Sequence, residues 1–173
     1  MRSGELLYDE ELLRSELLSI VPPGYKIRPL SIHDYKKGLM ECLESLTVIG
    51  NVTEQMFVER FLKMKSKGSY YVTVVVDEVK DKIVATGTLF NEFKFVRSCG
   101  TVGHIEDIAV HKDYQGKKLG AIIINNLKNI AIKIQCYKIT LNCNNDNIRF
   151  YEKCGFSLKD NQMTLYLNGT QKL

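Results

Sequence analysis

Two neighbouring stretches of this chain carry residue types that could do chemistry. Glu106 and Asp107 lie inside the apolar run 103–110, and carboxylates in such a place can take a proton from a substrate. The stretch 115–121 brings glycines to the start of a long apolar helix. Bare backbone N–H groups and the helix dipole at such a start favour a phosphate. An enzyme that uses a phosphorylated carrier to modify a nucleophile needs both features.

The acid pair makes a demand on the strand that carries it. Adjacent residues of a regular strand point to opposite faces of the sheet, so Glu106 and Asp107 can meet one substrate only if the strand bulges there. A bulge also frees a backbone N–H near Ile108 to bind an oxygen that gains negative charge. The alternative is an ordinary solvated strand end, although unpaired acids inside an apolar strand are costly without a function.

The elements that position these residues follow from hydrophobic periodicity and turn signals. We predict strands at 25–28, 70–76, 82–90, 101–111, 137–141 and 163–167, and helices at 31–46, 53–65, 117–134 and 145–152. The strand 101–111, the helix after it and the strand 137–141 form a βαβ unit, so those two strands should be parallel. The predicted class is α/β (α+β), with a mixed sheet and helices on both faces.

The first 23 residues are set apart from this domain. Leucine and isoleucine recur at helical spacing over 5–20, which predicts an amphipathic helix that ends at Pro22 and Pro23. We therefore divide the chain into an N-terminal extension, 1–23, and a single domain, 24–173. The helix packs either on its own domain or on a partner subunit. Its acidic polar face argues against a membrane surface.

Composition excludes several other classes of protein. The chain has 173 residues, 45% of them hydrophobic and 25% charged, which fits one globular domain. It has neither an apolar run of about 20 residues nor a signal-peptide core, so we predict a cytoplasmic protein without membrane contact. The net charge of +4 does not indicate nucleic acid. The five cysteines include no CxxC pair, and we expect no disulfide framework and no metal. Cys143 and Cys154 flank the candidate site, where a buried hydrophobic role is favoured over a nucleophile.

A family resemblance emerges once these motifs are taken together. The turn Gln115–Gly120, with the later Asn147 and Tyr151, resembles the acetyl-CoA site of the GNAT superfamily of N-acetyltransferases. That resemblance implies a mostly antiparallel central sheet with a β-bulge in its central strand. It also implies that the strand after the acid pair binds the pantetheine arm and that the turn holds the pyrophosphate.

The resemblance narrows within the superfamily. The segments His104–Val110, Tyr137–Ile139 and Phe150–Phe156, together with Leu46–Gly50, are similar to the glucosamine-6-phosphate N-acetyltransferases, and the similarity covers about residues 24–167. It implies that the 2-amino group of D-glucosamine 6-phosphate attacks acetyl-CoA, giving N-acetyl-D-glucosamine 6-phosphate and CoA, in UDP-N-acetylglucosamine biosynthesis. It further implies a homodimer whose partner subunit completes each site. The open alternatives are acetylation of another small amine or a protein N-terminus, and a non-catalytic acetyl-CoA-binding protein.

The resemblance assigns a role to each matching position. Glu106 and Asp107 handle the proton of the amine, and Tyr151 hydrogen-bonds or protonates the departing sulfur. His104 is interpreted as structural, because the family pattern leaves it no role. The implied cofactor contacts are Ile108, Ala109, Val110, Gln115, Gly116, Lys117, Lys118, Leu119, Gly120, Ala121, Asn147, Phe150 and Tyr151. The implied substrate contacts are Thr47, Lys94, Phe95, Val96, Arg97, Glu106, Asp107 and Asn142.

Three positions depart from the family pattern. Lys118 stands where the superfamily usually has glycine, which permits close approach of the backbone to the pyrophosphate. Asn142 replaces an acid that often ends the strand after the long helix, and Tyr166 stands where a basic residue often holds the sugar phosphate. The first departure concerns the cofactor, and the other two concern the sugar.

Overall fold

The computed structural model describes residues 5–13 and 21–167. The chain forms two compact units, Met1–Leu141 and Asn142–Leu173. Within the described residues, every helix is too short or too polar to cross a bilayer. The cytoplasmic location and the domain boundary at residue 24 stay predictions.

The first unit is built on one five-stranded sheet with the order β1-β2-β3-β4-β5. The strands are β1 Tyr25–Pro29, β2 Tyr70–Asp77, β3 Lys82–Phe93, β4 Thr101–Val110 and β5 Cys136–Leu141. Neighbours from β1 to β4 are antiparallel, whereas β4 and β5 are parallel. The predicted mixed sheet and its parallel pair are therefore confirmed.

Four helices connect the strands along the chain, and a fifth follows the last strand. They are α1 Leu39–Leu43, α2 Glu54–Lys67, the single turn α3 Val96–Cys99 and α4 Leu119–Lys133, with α5 Ile148–Lys153 in the second unit. The helix predicted over 31–46 is split, because Gly38 has a left-handed φ of 81° between a 3-10 turn and α1. The helix predicted over 53–65 is confirmed as α2, and the Thr53 hydroxyl caps it by accepting a hydrogen bond from the Met56 N–H at 3.2 Å.

The helices cover both faces of the sheet. On one face, Phe57 and Phe61 of α2 join a buried cluster that includes Val74 and Ala109 of the strands. On the other face, α4 packs on β3 and β4 and buries Ile123 and Leu127 completely. Burying a side chain of this size contributes about 1.5–3 kcal/mol. The sandwiched β4 is thus a rigid support for the residues it carries.

The N-terminal residues differ from the predicted amphipathic helix. Leu6 pairs with Ser31 in an isolated antiparallel bridge, and only Glu10–Leu12 forms a helical turn, of the 3-10 type. A bridge uses backbone groups that a helix would pair internally, so no helix runs through residues 5–9. The prediction is wrong for this part, and its remainder, 14–20, lies outside the described residues.

The second unit confirms one predicted element and lacks another. The predicted short helix is α5, and the chain leaves it through Gly155 with a left-handed φ of 88°. The predicted last strand, 163–167, is wrong, because these residues form no strand and Met163 and Leu165 are 95% and 81% exposed. A strand needs a neighbouring edge for its backbone hydrogen bonds, and an alternating sequence does not specify that neighbour.

Candidate active site

The central strand contains the predicted β-bulge. Thr88 of β3 pairs with Glu106, whereas Thr86 pairs with Ala109, so β4 holds one extra residue between these two pairs. Asp107 is this extra residue, and its backbone is left-handed with a φ of 54°. Aspartate is one of the few residue types that tolerate this backbone conformation. The prediction made from the adjacency of the two acids is confirmed.

Gly87 lies opposite the bulge and makes room for it. A Cβ atom at Gly87 would lie 2.5 Å from Cδ1 of Ile108 and 2.5 Å from Cγ2 of Ile123. The bulged Ile108 therefore occupies the space that a side chain on β3 would take, and it packs toward α4. A glycine inside a strand pattern is a signal for such a close approach, and it was not used in the sequence prediction.

The bulge turns both carboxylates toward the same face of the sheet. A cavity of about 290 Å³ lies between the sheet and the helices α1 and α2, and Asp107, Thr86 and Thr88 line it. Glu106 is the direct cross-strand partner of Thr88, and such partners lie on one face. Most other lining side chains are apolar, apart from Arg60 of α2. One substrate on this face can therefore reach both acids.

The surroundings of the acid pair favour protonation. Burial raises the pKa of Glu106, and the neighbouring charge of Asp107 raises it further, while His104 acts in the opposite direction. Burial also raises the pKa of Asp107. Averaged over the whole residue, Glu106 and Asp107 are both solvent-exposed. The pKa shifts depend instead on the protein atoms packed around each carboxyl group. A carboxylate with a raised pKa and open access suits the role of general base.

A free backbone edge follows the acid pair. The pairing of β4 with β5 ends at Ile105 and Leu141, so residues 106–110 have no strand partner on that side among the described residues. Peptide groups on a free edge can bind the amides of an extended ligand. The carbonyl of Val110 already accepts a hydrogen bond from the Ser45 hydroxyl at 3.1 Å. The predicted cofactor residues of β4 thus lie on an edge that can bind a pantetheine arm.

The turn before α4 presents an uncapped helix start. Gly116 and Lys118 have left-handed φ values of 79° and 62°, and α4 begins at Leu119 without a side-chain hydrogen bond at its N-cap. The first N–H groups of the helix are therefore left to bind an anion. The left-handed φ explains why glycine is usual at position 118. Lys118 nevertheless adopts the same turn, with its side chain exposed.

The side chain of Lys117 is engaged elsewhere. Its Nζ donates a hydrogen bond to the Tyr25 hydroxyl at 3.0 Å and lies 4.8 Å from the ring centre of Tyr114. The cation–π contact and the hydrogen bond hold this lysine against the aromatic pair. The cofactor contact of Lys117 stays a prediction.

The predicted sugar-phosphate residues lie on the loop between β3 and β4. Lys94 forms an ion pair with Glu92, and Arg97 stands in α3 with a left-handed φ of 56°. Phe95 and Val96 are 97% and 64% exposed. Thr47, exposed after α1, belongs to a different loop. No hydrogen bond or ion pair between described residues joins any of these five side chains to the acid pair.

His104 and Glu92 form a contact that the sequence prediction did not include. The His104 Nε2 lies 3.0 Å from a Glu92 carboxylate oxygen, and its Nδ1 lies 3.2 Å from the Thr140 hydroxyl. Hydrogen bonds from Lys94 and then from His104 lower the pKa of Glu92. The strand period could have found His104, because it lies two residues before Glu106 and so on the same face.

The second unit carries the remaining predicted residues. Tyr151 packs edge-on against Phe150 and Phe156, with ring centres 5.0 and 6.2 Å apart. Asn147, at the N-cap of α5, lies one helical turn before Tyr151 and so on the same side of the helix. Asn142 is exposed.

Two cysteines belong to the same unit. Cys154 is buried, as a hydrophobic role requires, whereas Cys143 is exposed. The described residues contain no group of three or more histidine, cysteine, aspartate or glutamate side chains placed to hold a metal ion.

Comparison with known proteins identifies the family. Residues 37–156 match the Acetyltransferase (GNAT) family. The chain is 48% identical over 156 residues to glucosamine 6-phosphate N-acetyltransferase 1 of Dictyostelium discoideum, covering 90% of this chain and 99% of that protein. The crystal structure of glucosamine-6-phosphate N-acetyltransferase from Arabidopsis thaliana superimposes with a TM-score of 0.81 at 43% identity, covering 83% of this chain and 99% of that one. The crystal structure of a predicted acetyltransferase from Clostridium acetobutylicum with acetyl-CoA, 15% identical with a TM-score of 0.64, shares the fold. This chain therefore belongs to the GNAT acetyltransferase family and, within it, to the glucosamine 6-phosphate N-acetyltransferases.

Proposed function

We propose that this protein transfers the acetyl group of acetyl-CoA to the 2-amino group of D-glucosamine 6-phosphate, giving N-acetyl-D-glucosamine 6-phosphate and CoA. The observation that carries the proposal is the bulge, which turns Glu106 and Asp107 to one face beside a free strand edge. The relatives from Dictyostelium discoideum and Arabidopsis thaliana, which are named for this activity, support the choice of substrate.

Acetyl-CoA binds along the first unit. Its pyrophosphate lies at the uncapped start of α4, and its pantetheine arm runs along the free edge of β4 at residues 108–110. This path places the thioester next to the bulge. The backbone N–H near Ile108 then binds the carbonyl oxygen as it gains charge, and losing such a donor typically costs about 2.7–4 kcal/mol in the barrier.

The reaction requires a neutral amine. Glu106 or Asp107 takes one proton from the ammonium group, and the free nitrogen forms a C–N bond with the carbonyl carbon. The C–S bond then breaks, and Tyr151 donates its hydroxyl proton to the leaving sulfur. The nitrogen loses its second proton as the amide forms, and that proton restores the tyrosine hydroxyl. Each turnover thus leaves one proton on the carboxyl group, which must return it to water.

The sugar phosphate needs cations near the acid pair. Lys94 and Arg97 supply them from the loop between β3 and β4, where Phe95 and Val96 are also exposed. In the free protein Lys94 is paired with Glu92, so a phosphate has to share or replace that carboxylate. Thr47 and Asn142 add neutral hydrogen-bonding groups for the sugar hydroxyls.

We also infer that the enzyme is a homodimer. The described end of the second unit exposes Met163, Leu165 and Leu167 by 95%, 81% and 83%. Alternating apolar residues of this kind can form a strand once an edge is available, and a second copy of the chain would supply that edge. The inference agrees with the homodimer that the family resemblance implies.

The acceptor specificity can be tested directly. With acetyl-CoA, we expect release of free thiol with glucosamine 6-phosphate and little release with unphosphorylated glucosamine, because only the first sugar carries a phosphate for Lys94 and Arg97 to bind. A panel that adds a polyamine and a peptide with a free N-terminus separates the other acceptors. Equal rates with both sugars would contradict the phosphate site, and the absence of thiol release with every amine of the panel would leave only a binding role.

The acid pair can be tested by neutral substitution. Glu106→Gln and Asp107→Asn together should lower kcat by about 10²-fold or more, because they remove both candidate proton acceptors, and the larger single effect identifies the base. In the wild-type enzyme the activity should fall as the pH drops through the raised pKa values, at a pH above that of ordinary carboxyl groups. Turnover that survives both substitutions would show that the base lies elsewhere.

The same variants make a prediction on stability. A carboxyl group with a raised folded-state pKa destabilises the fold once it ionises, and that penalty is absent below its unfolded pKa and complete above its folded pKa. At neutral pH, Glu106→Gln and Asp107→Asn should therefore unfold at the wild-type temperature or above it. Thermal melting followed by circular dichroism measures this, and a clear decrease would indicate that the charges stabilise the bulge.

Tyr151 can be separated from cofactor binding. Tyr151→Phe keeps the ring that packs on Phe150 and Phe156 but removes the hydroxyl proton. We expect the affinity for acetyl-CoA, measured by calorimetry, to change by less than about threefold while kcat drops by at least about tenfold. A variant that turns over at the wild-type rate would exclude Tyr151 from the mechanism.

The dimer can be tested in solution. Leu165→Asp places a charge on the exposed apolar segment, and we expect it to shift the mass measured by light scattering from dimer to monomer. Val79→Asp, at a turn of the first unit that is 89% exposed, is the matched control. A wild-type protein that is a monomer at micromolar concentration would contradict the inference.

A further inference from the structure

We propose that Tyr25 and Tyr114, here called the tyrosine clamp, are positioning residues for the cofactor: they hold Lys117 and so fix the turn before α4 in the shape that binds the pyrophosphate of acetyl-CoA. Lys117 then acts through the backbone of the turn rather than as a charged ligand. The proposal rests on the proposed function, because it takes the start of α4 as the pyrophosphate site. Neither tyrosine belongs to the predicted site residues.

Both rings of the clamp contact Lys117. Its Nζ donates a hydrogen bond to the Tyr25 hydroxyl at 3.0 Å, and it lies 4.8 Å from the ring centre of Tyr114 and 5.8 Å from that of Tyr25. Cation–π attraction acts at such distances, up to about 6 Å. The two rings also contact each other edge to face, with their centres 6.4 Å apart. Together these contacts restrict a flexible side chain in an exposed turn.

The clamp is anchored to a pair of strands. Tyr114 is buried, and its hydroxyl donates a hydrogen bond to Oδ2 of Asp77 at 2.9 Å. Asp77, at the end of β2, is the cross-strand partner of Tyr25, at the start of β1. One clamp residue thus belongs to this strand pair, and the other is hydrogen-bonded to it. The position of Lys117 is therefore set by the first two strands of the sheet.

The chain crosses the sheet to reach the clamp. β4 ends at Val110, and β1 is the third strand away from it, at about 14 Å for the usual strand spacing. On this path the His111 N–H donates a hydrogen bond to the carbonyl of Val84 in β3 at 2.9 Å, and the 3-10 turn Lys112–Tyr114 follows. The connection between β4 and α4 has no strand ladder there, so side-chain contacts have to fix its far end.

Lys117 passes this support to the backbone that binds the anion, because it lies inside the turn. Its neighbours Gly116 and Lys118 have left-handed φ values of 79° and 62°. A left-handed conformation costs a residue other than glycine roughly 1–2 kcal/mol. On the other side of Lys118, the Leu119 side chain is buried. Lys118 is thus held between two anchored neighbours, and the first N–H groups of α4 keep their direction before the cofactor binds.

Two variants separate the clamp from a direct contact of Lys117 with the phosphates. Tyr25→Phe keeps the ring and removes the hydroxyl, and we expect the Kd for acetyl-CoA, measured by calorimetry, to rise about three- to fivefold, since the turn adopts its binding shape less often. Lys117→Met keeps the aliphatic stem and should raise the Kd roughly five- to tenfold. The double variant should match Lys117→Met, because the hydroxyl acts only through that lysine. If Lys117 instead binds phosphate, Tyr25→Phe will bind acetyl-CoA at least as tightly as the wild-type protein, which would overturn the proposal.

A shorter donor shows where the effect arises. S-Acetylpantetheine carries the thioester without the pyrophosphate, so its kcat/KM should change by less than about twofold in either single variant. With acetyl-CoA, KM should rise while kcat at saturation is kept, since the lost interaction is one of binding. An equal decrease of kcat/KM with both donors would indicate a general defect of the fold and would contradict the clamp.

Controls keep the outcomes separate. Lys112→Met removes the same charge from an exposed lysine of the same connection and should leave the Kd within about twofold of the wild-type value. A rise equal to that of Lys117→Met would mean that charge alone sets the affinity, against the proposal. Melting temperatures establish that each variant is folded, and Tyr25→Phe carries the test if Lys117→Met does not fold. Failure of the proposed function is recognised differently: a wild-type protein that uses S-acetylpantetheine as efficiently as acetyl-CoA has no pyrophosphate site.

Discussion

One extra residue in the central strand determines what this fold can do. The bulge at Asp107 shifts the alternation of side-chain directions along β4 by one residue, so that two adjacent acids lie on the same side of the sheet. A regular strand would send one of them into the apolar layer under α4. Gly87 permits the bulge, because any Cβ at that position would collide with Ile108 and Ile123. The acid pair thus depends on a residue with no functional group.

The bulge is maintained against an electrostatic cost. Two carboxyl groups side by side, both with raised pKa values, oppose their own ionisation. The surrounding layers have to hold them in place, and the fully buried Ile123 and Leu127 of α4 and Phe61 of α2 provide that support on the two faces. Catalytic sites often retain groups that a more stable fold would replace. Here the electrostatic cost is confined to two adjacent residues of β4, a strand that is packed on both faces.

Sequence patterns predict those elements that depend on local interactions or on a regular spacing of apolar residues. The strands of the sheet, the cap of α2 at Thr53 and the long helix α4 all follow from spacing and turn residues. The bulge was predicted from chemistry, because two adjacent acids on one substrate require it. The bridge of Leu6 with Ser31 and the absence of a strand over 163–167 were not predicted. In both cases the outcome depends on whether a segment distant in sequence is available for backbone pairing. The contacts of His104 with Glu92 and Thr140 could not be predicted, because these partners come from two other strands.

The two halves of the candidate site differ in how much sequence change they tolerate. The half that we propose for acetyl-CoA is made largely of backbone: the free edge of β4 and the first N–H groups of α4. Lys118 shows the consequence, because it replaces the usual glycine and still adopts the left-handed turn with φ 62°. The sugar half is made of side chains on loops, such as Lys94 and Arg97, and each substitution there changes a charge or a donor. Departures of this chain from its family should therefore affect the binding of the acceptor more than that of the carrier.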